Sequence, residues 1–173
     1  MLSESENLPL LERKLHHSPG GPTGKMNTTV FLLLNLALAF YLAGAIWAIE
    51  VDIFRSWRLI SANDFHTVQT VHWQKLPYWV FVPLGLALIG SSILIRFHPA
   101  IAPAWARWGN LSCQLASHLL TAIFWGPWQA KLSRDDRGPA SPYLERILAT
   151  HWLRTLLINA YAGILLAWAI VAL

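Results

Sequence analysis

Four stretches of this chain are nearly free of charge, and each is about as long as a bilayer is thick. They cover residues 29–51, 76–97, 104–128 and 152–173, close to the ~20 apolar residues a helix needs to cross a hydrocarbon core. A soluble domain of 173 residues, 55% hydrophobic and only 13% charged, would have too little interior to hide so much apolar surface. Backbone amides in lipid must be satisfied within their own segment, so the spans are helices. The expectation is an all-α integral membrane four-helix bundle over residues 28–173. A polar tail over residues 1–27, with Pro19, Gly20, Gly21 and Pro22 together, reads as disordered and has no signal-peptide pattern.

Asn27 can cap the first helix. Amphipathic rings expected at headgroup depth mark the edges of the spans: Tyr78 and Trp79 follow Lys75, and Trp125 and Trp128 precede Lys131. Between spans one and two, Ser61 stands three residues before Asp64 as a helix cap. Phe65, Val68, Val71 and Leu76 then recur at helical spacing, which predicts an amphipathic interfacial helix over about 62–75. Ser141-Pro142 starts the last helix some ten residues before its apolar part.

The even number of spans puts both chain ends on one side. That side carries Arg13, Lys14, Lys25, Arg96 and Arg107, five cations against the eight of the other side: Arg55, Arg58, Lys75, Lys131, Arg134, Arg137, Arg146 and Arg154. The bias places the termini outside a plasma or inner membrane and the eight-cation side in the cytoplasm. The net charge of +4 lies mainly in connections, which fits headgroup contact and excludes nucleic acid as a partner. The lone Cys113 excludes an internal disulfide and a multi-cysteine metal centre.

Polar residues inside the spans carry the functional signal. Asn110, Gln114 and His118 recur at i, i+4, i+8 in span three, with Ser117 and Thr121 beside them, and His151, Thr155 and Asn159 repeat the spacing in span four. Such stripes either glue helices together or line a pocket. Arg154 can snorkel to the headgroups or pair with Glu50, which reaches the same level from span one. Glu50, His118, His151, Arg154 and Asn159 all fall in one half of the bundle, with His66 and His72 across its opening. This convergence favours a polar pocket that also takes in Trp125 and Trp152. Gly85, Gly90 and Ser91 give span two a small-residue face for close contact within the bundle or with a second copy.

The Phe65-His66-Thr67-Val68-Gln69 segment leading to Lys75-Leu76-Pro77, then Trp128-Gln129-Ala130-Lys131-Leu132 and a final His151-Trp152-Leu153-Arg154-Thr155 helix, resembles the anthrone-oxygenase-like family of four-span membrane proteins over residues 30–173. The resemblance implies the bundle and an oxidation of anthrone-type aromatic substrates without a conventional cofactor. On that reading His118 or His151 is a base near neutrality. Arg154 and Asn159 steady the developing oxyanion, and tryptophans hold flat rings. A variant makes two of His66, His72, His118 and His151 metal or haem ligands, though their spacing forms no metal motif. The competing reading is a non-enzymatic small-molecule binder or accessory subunit, alone or in a membrane complex, whose polar stripes only pack helices. A transporter is disfavoured because no broken-helix pair occurs in corresponding halves.

Overall fold

The computed structural model describes residues 27–172; the polar tail expected over 1–27 lies, but for Asn27, outside them. The chain forms four helical rods: α1 (Thr28–Leu59), α2 (Ala62–Arg96), α3 (residues 104–132) and α4 (Pro142–Ala172). α4 packs along α1 and α3, and α2 closes the ring by touching both of these. No strand occurs among the described residues.

Three of the rods, α1, α2 and α4, are long and apolar enough to cross a bilayer, and the chain reads as a multi-pass membrane protein. α1 has 32 residues, about 48 Å of helix at 1.5 Å per residue, so it outruns a ~30 Å core. The third expected span, 104–128, does not join the apolar three. Its polar residues lower the average, and most of them point inward, Ser112 being exposed. Asn110, Gln114 and Ser117 are fully buried, while Trp105, Trp108, Leu115, Leu119 and Ile123 face outward.

The caps fall where the sequence places them. The Asn27 side chain accepts from Thr29 N, and Ser61 accepts from Asp64 N. Ser141 accepts from Tyr143 N and donates to Asp135 at 2.7 Å. The Asp135 carboxylate also takes two hydrogen bonds from the Arg137 guanidinium, each 2.8 Å, and one from the Arg137 backbone N–H at 3.2 Å. Gly138 turns the chain at φ +55°, and a Cβ there would press on Ala62 Cα and Phe65 Cβ at 3.3 Å. That close approach seats the α3–α4 connection on the start of α2.

Two expectations about α2 are corrected. The amphipathic segment is not a separate interfacial helix. It runs into the apolar part through a widened turn, Pro77–Phe81, which holds Pro77 without ending the rod. Its buried face is also different: Phe65, Gln69 and Leu76 are buried, whereas Val68 and Val71 are exposed. The packing partners decide this, because Trp57 and Gly138 stand against the face that carries Phe65.

Widened π turns recur in α1 (Ile49–Ile53) and α3 (Thr121–Trp125). Near the one in α2, Pro83 has no N–H to give to the Trp79 carbonyl four residues back, and the Tyr41 hydroxyl donates to that oxygen instead at 2.9 Å. Farther along the same α1–α2 contact, Gly90 meets Asn35 so closely that a Cβ would overlap the Asn35 amide. The small-residue face of α2 therefore serves a contact within the chain at Gly90 and Ser91, while Gly85 has open space before it.

Candidate functional site

Glu50 lies in the π turn of α1 and is buried although it is a carboxylate in an apolar helix. One oxygen accepts a hydrogen bond from His151 Nδ1 at 2.8 Å; the other accepts from Arg55 at 3.3 Å. The turn itself explains the second bond. In an α-helix residue i+5 stands about 140° around from i, while a π turn closes i onto i+5 and returns Arg55 to the Glu50 face. Arg55 is largely exposed and His151 is 2% exposed, so the imidazole is the partner that holds the carboxylate inside. With Glu50 ionised the carboxylate can only accept, and the ring proton sits on Nδ1.

The expected Glu50–Arg154 pair does not form, because His151, one turn earlier on the same helix, occupies the carboxylate. Arg154 is also buried, and its guanidinium lies over the Trp125 ring at 5.6 Å. That contact corrects the placement of Trp125 as a headgroup anchor: it is 4% exposed, donates to Thr150 at 3.0 Å, and faces His151 edge-on at 6.1 Å. Phe54 packs edge-on to His151 at 4.6 Å and continues toward His72 at 6.3 Å. Trp57 and Trp79 complete an aromatic surround for the His72 ring.

Two spaces flank the Glu50–His151 pair. Inside the bundle, a cavity of about 40 Å³ is bordered by His72, Thr121, Trp125, Gln129, His151 and Arg154 among apolar side chains. It has room for a few water molecules and is far below the ~300–1,000 Å³ of a drug-sized ligand site. Outside, between α1 and α4, a groove of about 390 Å³ is lined by Trp47, Glu50, Val51, Arg55, Trp152, Thr155, Leu156 and Asn159. Trp47, Val51, Trp152 and Leu156 are exposed, so the groove opens on the apolar flank of the bundle. Glu50 is the one residue of the pair that borders it.

The residues expected to share one pocket thus divide. Glu50, His151, Arg154, Thr155, Trp125, Trp152, Asn159 and His72 gather around the pair. Asn159 donates to the Thr155 carbonyl at 2.7 Å and accepts from Trp47 Nε1 at 3.3 Å. His118 borders neither space: it is half-buried and its Nδ1 is 2.7 Å from the Gln114 carbonyl of its own helix. Asn110 and Gln114 lie in a polar layer farther along α3, where Asn110 donates to the Ala106 and Arg107 carbonyls at 2.8 Å. Tyr161 and Ser91 are buried as well, and the Tyr161 hydroxyl faces Ser91 and Gln114. His66 is exposed beside the Arg134–Gly138 connection. Of the four candidate metal-binding histidines, His72 and His151 alone share a cavity, and no group of three or more His, Cys, Asp or Glu side chains able to hold a metal ion occurs among the described residues.

Sequence reasoning missed Trp47, Phe54, Arg55 and Gln129. Trp47 was legible at one helical turn before Glu50. Arg55 was not, since its approach depends on the π turn. No known protein family, curated protein or solved structure matches this chain.

Proposed function

We propose that this protein is a four-span membrane bundle that takes a lipophilic aromatic molecule from the bilayer into the α1–α4 groove and abstracts a proton from it with the Glu50–His151 pair. The observation that carries the reading is the buried carboxylate, bound to His151 at 2.8 Å and bordering an apolar groove of about 390 Å³. A weakly acidic C–H presented there meets a base whose proton can be shared with the imidazole behind it. Trp47 and Trp152 offer flat surfaces for the rings. Arg55 and the Asn159 amide border the same groove and can steady an enolate oxygen.

As an oxygenase of anthrone type, the step balances without a further reductant. The CH₂ carbon gives a proton to the pair, and its carbanion bonds to dioxygen. The resulting peroxide anion takes the proton back, and loss of water leaves a ketone. Arg154 borders the inner cavity and His118 borders neither space, so the roles first expected of them pass to Arg55 and Glu50. Support for the fourth span is the inverted polarity of α3, with its polar face inside and apolar face outside, an arrangement suited to lipid.

The test is dioxygen uptake by the purified full chain in detergent with an anthrone as probe, against heat-denatured protein to subtract autoxidation. Wild type is expected to accelerate uptake, with Glu50→Gln and His151→Gln losing at least about tenfold, within the usual worth of a positioned base. Uptake equal to the denatured control would overturn the enzymatic reading. A binder without catalysis has its own supporting observation: the Asn35, Asn110, Thr121, Thr150 and Asn159 side chains all donate to carbonyls of their own helices, as helix-packing polar residues do. Retained anthrone binding without accelerated uptake would select it.

A further inference from the structure

The inner cavity has a character the groove lacks. Arg154 is buried against Trp125, and no carboxylate pairs with it, since Glu50 is engaged by His151 and Arg55. Its Nη2 has no hydrogen-bond partner, and neither do His151 Nε2, His72 Nε2 or Gln129 Oε1. All four residues border the same space of about 40 Å³. The Gln129 amide can present its NH₂ by a simple flip, and His72 can carry its ring proton on Nε2. His151 Nε2, with its ring proton on Nδ1, faces the space as an acceptor. The Arg154 guanidinium, the His72 ring N–H and the Gln129 amide converge as donors on a volume that fits an atom-sized ligand.

We infer that this cavity is a binding site for a small monovalent anion of halide size. Water could satisfy the hydrogen bonds but not the charge, and a buried cation without a counter-charge is costly in an apolar bundle. The cation–π contact with Trp125 offsets only part of the desolvation. A planar guanidinium with one free N–H edge, flanked by the Nε2–H of His72, gives a directional cradle. The size of the space excludes the lipophilic substrates proposed for the groove, and the inference stands independently of that reading.

The test compares melting temperatures of the purified full chain in detergent, titrated with sodium chloride against sodium gluconate at constant ionic strength. Wild type is expected to gain stability saturably with chloride and not with gluconate, which is too large for the cavity. Arg154→Gln is expected to weaken the chloride midpoint by about tenfold or more, the scale of one charged hydrogen bond, and Arg154→Lys to fall between. Glu50→Gln removes the proposed base but leaves the cavity donors in place, so it keeps its chloride response even where anthrone oxidation is lost. Identical behaviour of wild type in the two salts would overturn the site whether or not the Arg154 variants fold. So would an unchanged midpoint in Arg154→Gln, or a response lost in folded Glu50→Gln.

Discussion

Replacing Glu50 by leucine strands the His151 imidazole, which is 2% exposed and holds its Nδ1 hydrogen bond to that carboxylate alone. An unsatisfied buried donor costs about 1–3 kcal/mol. Replacing His151 by leucine leaves a carboxylate 8% exposed at its side chain, with only the exposed Arg55 for company. Breaking a buried pair in this way costs about 3–5 kcal/mol, and the remaining Arg55 contact and the adjoining groove bring the expectation to about 2–3 kcal/mol. The double variant removes both polar groups and replaces them with apolar ones, which is often close to neutral. With the double variant near neutral, the double-mutant cycle is therefore expected to give a coupling close to the sum of the two single costs, about 3 kcal/mol or more, measured by reversible unfolding in mixed micelles. Arg55→Ala, made alone, is expected to cost no more than about 1 kcal/mol, since that side chain is 69% exposed. Additivity of Glu50→Leu and His151→Leu to within about 0.5 kcal/mol would show that the two groups are not partners and would remove the basis of the site.

Gly90→Ala is expected to destabilise by about 1–3 kcal/mol through overpacking, because the added methyl would overlap the Asn35 amide; Asn35→Ala in the same chain is expected to rescue much of the loss. For Asp135, the Arg137 hydrogen bonds first and the Ser141 hydroxyl second hold its carboxyl well below the usual carboxylate range. A depressed folded pKa adds stability above the unfolded value of about 3.9 and loses it as pH falls toward the folded one. Melting temperature is therefore expected to drop below about pH 4 in wild type, and Asp135→Asn is expected to be less stable at neutrality with a flatter acid limb. An acid limb identical in the two proteins would detach Asp135 from the α3–α4 connection. Reporter fusions at Gly20, Ile60, Ala100 and Arg137 are expected to alternate in side from the tail onward, and two neighbouring positions on the same side would refute the four-span topology.

Helix content, caps and the inward polarity of α3 were legible because each depends on neighbours in the chain. Apolar runs, Asn27, Ser61 and Ser141 act within a few residues, and a stripe at i, i+4, i+8 lies on one helix face whatever stands opposite. The sequence by itself also determined that Glu50 and His151 stand at the same level, since depth along a span follows from counting residues. Tertiary structure decided what levels cannot. Whether Glu50 meets His151 or Arg154 depends on the rotation of α4 about its own axis, and His151 won the carboxylate while Arg154 turned to Trp125. The rotation of α3 kept His118 away from both, although its depth was right. The π turns of α1, α2 and α3 shift the register of every residue after them, and nothing local marks the one in α1, which brings Arg55 back over Glu50. Depth is a property of the chain, but azimuth is set by which ridges of four rods fit into which grooves, and that is a property of all four together.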